Sequence, residues 1–392
     1  MALGGGTFIS QNKKLPGSYI NFVSAQNASS SIGERGIAAM AIEMDWGKDG
    51  EIIEVTSQNF AKDSLKIFGY DYLPATFTGL RDLFKNVKKA YFYRLNTGNK
   101  ATTDIATAKC SGTRGNDIRI VVAKNIDDGT KHDVVTYLGT KEVDKQTIKE
   151  VSELVDNDYV TFSMEALEVT AGKSLEGGTN GDVSGEAHQN FLNKLESYQV
   201  NAIGCTVKDE STSNLYVQYA KRLRDEQGIK FQVVLFNNAA NYEGVVNVKN
   251  KTAEDESALV YWVTGVIAGC EINKSNTNKT YDGEYTINAD YTQAQLEASI
   301  DNGEFVLHKV GDEIRVLVDI NSLVDTTIEK GEEFKSNQTI RVLDQIASDV
   351  ASVFNSKYLG KIANNEAGRT SLWSDIILSL IHISEPTRPE PI

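Results

Sequence analysis

The side chains that could carry out chemistry are few in this sequence and stand far apart. His132, His188 and His308 are separated by 56 and 120 residues, and none has a cysteine or carboxylate at the spacing of a catalytic or metal-binding motif. His188 falls on the apolar face of a predicted helix, which favours a core histidine over a catalytic one. His132 and His308 fall in predicted strands and are interpreted as surface residues.

Motifs for nucleotide, hydrolase and metal chemistry are also missing from the sequence. It contains no GxxxxGK[ST] loop and no G-x-S-x-G elbow, and its glycine clusters lack the G-x-G-x-x-G spacing of a dinucleotide fold. Asp127-Asp128-Gly129 could wrap a hard cation, but no further oxygen ligands follow at fixed spacing, so a solvated hairpin turn is expected. We therefore predict no enzymatic activity, no cofactor and no metal.

Charge and cysteine usage narrow the possible partners. The chain has 40 basic and 54 acidic residues, a formal charge of -14 and a pI near 4.9, which disfavours binding to nucleic acid or to an anionic membrane. Cys110, Cys205 and Cys270 lie far apart among apolar or small residues, which indicates reduced thiols. The first ten residues do not resemble a secretory signal, and the most apolar stretch, residues 258–268, is too short to cross a bilayer. We expect a soluble chain made in the cytoplasm.

The elements that would position any site follow an α/β pattern. At roughly 100–200 residues per domain, a chain of 392 residues should contain two to four domains. The predicted strands are residues 37–44, 90–95, 200–207 and 231–236, and the predicted helices are residues 60–68, 80–87, 191–198, 216–223 and 258–268. This alternation indicates parallel strands joined by crossover helices.

Residues 99–176 differ in kind from this layer. Runs of β-prone residues at 118–122, 134–138, 159–162 and 167–170 are separated by turn sequences, with one short helix predicted near residues 146–154. The helix and strand alternation resumes directly after residue 181. The stretch is therefore predicted to be a β-rich domain inserted into the α/β layer.

The C-terminal part contains a predicted hairpin and a long helix. Residues 305–310 and 314–320 are joined through Gly311-Asp312, and an amphipathic helix runs from 340 to 354 behind Asn337 as its cap. The predicted fold class is thus α/β and multidomain: a mostly parallel α/β layer, an inserted β-rich domain and a C-terminal α+β domain. The predicted parts are an N-terminal arm (1–25), the two segments of the α/β domain (26–98 and 177–272), the insertion (99–176) and the C-terminal domain (273–377).

Several short motifs follow one another in a fixed order. SGTRGNDI (111–118) and LEGGTNG (175–181) flank the insertion, and DINSL (319–323), IRVLD (340–344) and GKIANNEAGR (360–369) follow in the C-terminal part. In this order, over about residues 5–375, they resemble successive blocks of contractile phage tail sheath proteins from phages, prophages and phage-tail-like particles of Gram-positive bacteria.

This resemblance implies a structural role. It implies a subunit that polymerises as a helical sleeve around a tail tube and contracts to drive the tube through a cell envelope. The implied partners are further copies of the chain, the tail tube protein, and baseplate and tail-terminator proteins, with no contact to nucleic acid or membrane. The implied location is a virion or phage-tail-like particle assembled in the host cytoplasm.

The resemblance also implies where subunits exchange strands. In the family, a two-stranded hairpin receives one N-terminal and one C-terminal strand from neighbouring subunits. The implied donor residues are Tyr19, Ile20 and Phe22. The implied acceptor residues in the hairpin are Phe305, Leu307, Ile314, Val316 and Val318, and the alternative for this hairpin is an ordinary sheet inside its own domain.

A basic surface near the end of the chain is a further candidate. Lys357, Lys361 and Arg369 could face an acidic tube by charge complementarity. A solvated helix end is the alternative interpretation of these three residues.

Residues 378–392 depart from the family pattern. The run LSLIHISEPTR resembles the translation of a sequencing adapter, and these residues are left out of the functional reasoning. We expect that the family's terminal strand has been replaced, and that the chain as written folds without building the extended sleeve.

Two other classes of function remain open at this point. A parallel α/β layer can host enzyme chemistry at the carboxyl ends of its strands, and fold alone does not exclude it. Alternatively, the chain could be another virion structural protein or an adhesion protein that binds its partner through the β-rich insertion. Hollow tubes of uniform width in negative-stain micrographs would distinguish a sheath from both.

Overall fold

The computed structural model describes residues 35–384 and contains several sheets with helices packed on them. The strands are β1 (Ile37–Ile42), β2 (Ile52–Thr56), β3 (Lys89–Arg94), β4 (Lys100–Thr103), β5 (Ala106–Ser111), β6 (Ile118–Lys124), β7 (His132–Leu138), β8 (Lys141–Ile148), β9 (Val160–Phe162), β10 (Thr170–Ser174), β11 (Ala202–Cys205), β12 (Gln232–Phe236), β13 (Val245–Val248), β14 (Glu304–Phe305), β15 (Leu307–Val310) and β16 (Glu313–Val316). The helices are α1 (Ser57–Phe68), α2 (Thr78–Phe84), α3 (Gly185–Leu195), α4 (Glu210–Lys221), α5 (Leu259–Gly269), α6 (Gln293–Asp301), α7 (Asn337–Val353) and α8 (Glu366–Ser384).

A seven-stranded sheet forms the centre, in the order β14–β13–β12–β11–β1–β3–β2. Its neighbouring strands are parallel except for β2 and β3, which are antiparallel. Strands β11, β12 and β13 are buried along their whole length. Because helices cover both faces of such a sheet, its strands read as continuous apolar runs.

The helices lie in two layers on the central sheet. Side chains of α1, α2 and α5 join one apolar cluster with Met40 and Phe92, whereas α3 and α4 join a second cluster with Ala39 and Tyr91. Neighbouring strand residues thus point to opposite layers, as the period of a strand requires. The apolar sequence of α5 is explained by its burial on nearly all sides.

The inserted region is made of two antiparallel sheets packed on one core. The sheets have the orders β10–β6–β7–β8 and β4–β5–β9. The helix predicted for residues 146–154 is wrong, because β8 extends to Ile148 and only a short 3-10 turn, Val151–Glu153, follows. The Gln146 side chain bonds the backbone N–H and C=O of Val155 (3.0 and 2.7 Å), which fixes the chain after the strand.

Two linkers connect the insertion to the central sheet, and they run against each other. A Cβ atom on Gly98 would lie 1.8 Å from the Thr179 carbonyl oxygen, and one on Gly181 would lie 1.6 Å from the Thr97 oxygen. No other residue fits at these two positions, because the backbones are already in contact. The linkers therefore form a close pair rather than two loose tethers.

Trp46, in the loop after β1, lies inside the core of the insertion. Its side chain is 0 % exposed and packs in one cluster with Ile118 and Leu175. Its ring centroid is 6.2 Å from that of Tyr159, and its Nε1–H donates to the Lys66 carbonyl (3.2 Å). The α/β layer and the insertion thus share part of one core.

The C-terminal hairpin is shorter than the sequence predicts. Phe305 pairs with Val248 in the central sheet, and only β15 and β16 form the antiparallel hairpin, from Leu307↔Val316 to Val310↔Glu313. The prediction that Phe305 and Val318 belong to this hairpin is therefore wrong. The extended segment that begins at Glu304 therefore pairs first with β13 of the central sheet and then, after Val306, with β16 of the hairpin.

Helix α7 follows, with a different cap from the predicted one. Ser336 is the N-cap, and its side chain accepts the Thr339 N–H. Asn337, the predicted cap, is buried and donates instead to Asp319 Oδ1 (2.9 Å) and to the Ile320 carbonyl (2.8 Å). Its amide is therefore used to join two segments of the C-terminal domain.

Candidate functional site

The candidate site is the set of surfaces through which copies of the chain could contact each other. The predicted strand donor residues Tyr19, Ile20 and Phe22 lie outside the described residues. The geometry of strand exchange can therefore be described only for the acceptor, the β15–β16 hairpin. Leu307, Ile314 and Val316 all lie in the β15–β16 hairpin. Leu307 and Val316 are 0 % exposed and join the main core, so the hairpin is fixed to the body of the molecule.

The outer edge of β16 is already occupied by the chain itself. Asn278 N–H donates to the Val316 carbonyl (2.8 Å), Val316 N–H donates to the Lys279 carbonyl (2.9 Å), and Tyr281 N–H donates to the Ile314 carbonyl (2.8 Å). Tyr281 is anchored in turn through its hydroxyl to Asp82 (3.0 Å). A strand from another subunit could pair with β16 only by displacing residues 278–281.

The outer edge of β15 is closed at one end by a side chain. Leu307 N–H donates to Asn250 Oδ1 (2.7 Å), and Asn250 Nδ2 donates to the Leu307 carbonyl (2.8 Å). This buried amide thus continues the ladder by one step in place of a strand. The N–H and C=O of Lys309 point to the same side, and no residue within 35–384 pairs with them. The hairpin therefore has one short open edge, at Lys309.

The three basic candidates lie in the last part of the described chain. Lys357 forms an ion pair with Asp375 (3.2 Å), Lys361 Nζ donates to the Ser356 carbonyl (2.5 Å), and Arg369 Nε donates to Asn364 Oδ1 (2.9 Å). The charge of Lys357 is thus partly neutralised, whereas Lys361 and Arg369 are bonded to uncharged groups.

The same end of the molecule exposes large apolar side chains that the sequence analysis did not single out. Trp373 is 60 % exposed and Leu359 is 59 % exposed, and Ile362 and Ile377 are also exposed. Trp373 and Ile377 are one turn apart on α8, and neighbouring exposed apolar residues mark contact surfaces more often than scattered single residues do. The sequence contains this signal as apolar residues in the segment before α8, at Leu359 and Ile362, and within α8, at Trp373 and Ile377.

His188 is a core residue, as the sequence predicts. It is 2 % exposed, and its Nδ1 is hydrogen-bonded to the hydroxyl of Tyr216 on α4 (2.8 Å). Burial lowers the pKa of His188 below its ordinary value of 6.5 and raises that of the Cys205 thiol beside Tyr216 to about 11. All three groups are neutral at pH 7, and none is placed for catalysis.

The lowered pKa of His188 predicts a loss of stability in mild acid. Below the unfolded pKa near 6.5 the unfolded chain binds a proton that folded His188 does not bind, so stability is full above this pH and decreases as pH falls toward the folded pKa. His188→Gln, which can still bond the Tyr216 hydroxyl, should lose less stability than the parent between pH 7.5 and 5.5. Denaturant unfolding at both pH values checks this, and equal losses would contradict it.

The weaker sequence candidates have structural roles. Asn125 Oδ1 accepts the N–H groups of Asp127 and Asp128 (3.1 and 2.9 Å) in the turn between β6 and β7. Within residues 35–384, no cluster of three or more His, Cys, Asp or Glu side chains could hold a metal ion. The same part of the chain contains no helix that could span a membrane.

Family models match consecutive parts of the chain. They are the tail sheath protein Gp18 domain III N-terminal region (residues 35–95), the phage tail sheath protein beta-sandwich domain (96–180), the phage tail sheath protein central domain (181–322) and the phage tail sheath C-terminal domain (329–384). The structure is also similar to that of a sheath tail protein from Desulfitobacterium hafniense, with 36% identity, a TM-score of 0.83, and coverage of 96% of this chain and 91% of that one. The chain belongs to the phage tail sheath protein family.

Further relatives of this sheath protein extend the comparison. It is 32% identical over 382 residues to the phage-like element PBSX protein XkdK of Bacillus subtilis, covering 89% of this chain and 81% of that one. A tail sheath protein of a Clostridium phage is 28% identical over 182 residues, which is 45% of this chain and 51% of the phage protein. A sheath tail protein of Listeria innocua has a TM-score of 0.79 at 32% identity, covering 92% of this chain and 87% of that one.

The fold is shared with a contractile assembly as well. The helical sheath of the anti-feeding prophage in its contracted state has a TM-score of 0.55 at 12% identity, over 96% of this chain and 85% of that one. The resemblance read from the sequence is confirmed. The family is a structural one, so the sheath protein is not an enzyme and is a component of a virion or tail-like particle.

The residues that control the hairpin edges were not foreseen from the sequence. Asn250 and residues 278–281 match no motif that points to a strand partner. Asn250 lies 57 residues from Leu307, and residues 278–281 lie 33 to 38 residues from their partners Ile314 and Val316. Asn278 has a positive φ of 62°, a backbone conformation that asparagine tolerates better than most residues, but an asparagine alone does not reveal it.

Proposed function

We propose that this sheath protein polymerises helically around a tail tube and contracts to drive the tube through a cell envelope. The observation that carries the proposal is its similarity to a sheath tail protein along nearly the whole length of both chains. Tail tube, baseplate and tail-terminator proteins are its proposed partners, and the host cytoplasm is the proposed place of assembly.

Subunit contact is proposed to use strand addition. The open edge at Lys309 is the side on which a strand can pair without displacing residues of the same chain. The proposed donor is the run around Tyr19, Ile20 and Phe22 of another copy. Such a head-to-tail contact does not close on itself and therefore builds a filament.

The proposed tube-facing surface is the C-terminal end of the molecule. Lys357, Lys361 and Arg369 lie there, and Arg369 lies one turn before the exposed Trp373 on α8. A surface that combines apolar anchors with a few cations suits a protein partner of opposite charge.

In a version whose residues 378–392 are replaced by a natural sheath C-terminus, removing residues 1–25 should abolish tubes and leave a folded monomer, because these residues supply the proposed donor strand. Ile20→Pro should act like the truncation, since proline cannot donate a ladder hydrogen bond, whereas Ile20→Val should still form tubes. Negative-stain microscopy of the purified proteins is the measurement.

The outcome bears on two separate claims. Tubes from the truncated protein would refute the donor strand, and a melting temperature far below that of the parent would place the arm in the core. A parent protein that never forms tubes, with or without a natural sheath C-terminus, would refute the proposed function itself.

A further inference from the structure

A groove lies between α7 and the starts of the central strands. Its volume is about 680 Å³. One wall consists of Ile37, Asn201 and the loop at residues 227–230, and the other consists of α7 side chains that include Ser348 and Ser352. We call this feature the α7 groove. Small side chains on the helix leave room for another backbone to come close.

The described chain begins at the deep end of the α7 groove. Arg35 donates from Nε to the Cys270 carbonyl (2.9 Å) and from Nη2 to the Ile267 carbonyl (2.9 Å), both at the end of α5. Gly36 N–H donates to the Ala268 carbonyl (2.9 Å) and to Asn201 Oδ1 (3.1 Å). These hydrogen bonds fix Arg35 and Gly36 beside the groove.

The deep end also contains buried donors without acceptors. Arg341 is 1 % exposed and lines a small extension of the groove together with Arg35, Lys230 and Asp344. Its Nη2 binds Asp319 (2.9 Å), but its Nε and Nη1 have no hydrogen-bond partner within residues 35–384. A buried guanidinium with free N–H groups favours a neighbour that brings carbonyl or carboxylate oxygens.

The local charge points to the same kind of neighbour. Asp344 is already bound by Arg224 (2.7 Å) and Asp319 by Arg341 (2.9 Å), and among the described residues the Arg35 and Lys230 side chains donate to backbone carbonyls rather than to carboxylates. Burial, followed by the positive charge of Arg341, lowers the pKa of the Arg35 guanidinium to about 10. Residues 1–34 contain a single acidic residue, Glu34, and it directly precedes Arg35.

We propose that residues 28–34 of the same chain lie in the α7 groove, with oxygen atoms of this segment directed at Arg341. The helical wall from Ser348 to Ser356, which continues past the end of α7 at Val353, is about 12 Å long, and about four extended residues can span it. The segment ASSSIGE at 28–34 has mostly small side chains, which matches the small side chains of the helix. The arm would then be clamped to the C-terminal domain of its own subunit before it reaches another copy.

A disulfide test uses the full chain with Cys110 and Cys270 changed to serine. The pair Ser31→Cys with Ser352→Cys should cross-link within one chain under mild oxidation. The control pair is Ser31→Cys with Leu343→Cys, since Leu343 is 41 % exposed and lies about half a turn round α7 from Ser352. The first pair should form at least about ten times faster, because docking raises the effective concentration of its two thiols.

Two results would overturn the proposal. Equal rates for the two pairs would mean that the arm does not dock in the groove. Cross-links formed only between chains would identify a second copy as the occupant. Hydrogen exchange of the unmodified chain gives an independent readout: amides of residues 28–34 should be protected relative to residues 1–15. Equal exchange in both segments would contradict the docking and would mean that the free N–H groups of Arg341 bind water instead.

Discussion

Replacing Trp46 with alanine should lower the free energy of unfolding by about 3–5 kcal/mol, the range for large aromatic side chains removed from a core. Trp46 is 0 % exposed and is held by the core of the insertion although it belongs to the loop after β1. The change should therefore loosen the insertion against the central sheet as well as open a cavity. Denaturant unfolding followed by fluorescence measures the loss of free energy of unfolding. Proteolysis at the linkers measures how far the insertion has loosened against the central sheet.

Trp373→Ala is the matched control for this experiment. Its side chain is 60 % exposed, so its replacement should change stability by less than about 0.5 kcal/mol. A loss for Trp46→Ala no larger than that of the control, or an insertion that stays as resistant to protease as before, would show that the two parts do not depend on this shared core.

Asp319→Ala should be equally damaging, with a loss of about 3–5 kcal/mol, because it leaves a buried charge unpaired. Asp319 accepts from Arg341 Nη2 (2.9 Å), from Asn337 Nδ2 (2.9 Å) and from the Asn276 backbone N–H (2.9 Å). The Arg341 and Asp319 side chains are 0% and 1% exposed. One carboxylate thus joins α7 to the loop before the hairpin, and equilibrium unfolding in denaturant measures what it contributes.

Two variants separate the buried charge from charge in general. Glu271→Ala removes one partner of an ion pair of 2.7 Å that is 61% exposed on both sides, and should cost less than about 1 kcal/mol. Asp319→Asn keeps the shape and one of the two acceptor oxygens, while its NH2 group faces a donor, so its loss of stability should fall between the two. A loss for Asp319→Ala similar to that for Glu271→Ala would contradict the role assigned to the cluster.

Four strands of the central sheet, β1, β3, β11 and β12, could be predicted because their signals are local, whereas β2 and β13 were missed. The apolar run of β12 and the almost wholly apolar α5 differ in length, and length is what separates a buried strand from a buried helix. The predicted hairpin was partly wrong for a physical reason: residues 305–310 were predicted as one strand, but their ladder partners change from β13 to β16 on either side of Val306. Sequence periodicity shows that a segment is extended and does not show with which strand it pairs.

The contacts that decide the candidate site are long-range and were not predictable in this way. Asn250 reaches Leu307, and Trp46 reaches Tyr159, across large separations in sequence. Both residue types have many ordinary uses in proteins, so neither stands out in one sequence. The family could be recognised because several motifs keep their order, whereas the closed edge of β16 depends on three backbone hydrogen bonds that no motif encodes.

The nearly closed hairpin has a consequence for how a sleeve could start to grow. Along β15, within residues 35–384, the N–H and C=O of Lys309 are open, and the two backbone hydrogen bonds that a donated strand would gain there contribute about 2 kcal/mol. Taken alone, these two bonds correspond to an affinity weaker than millimolar. Two free subunits that meet through this edge would separate again at once. Growth would then depend on nucleation. A subunit would remain bound only where a preformed ring or tube contacts it at several points together, and free subunits in solution would remain unassembled until such a seed is present.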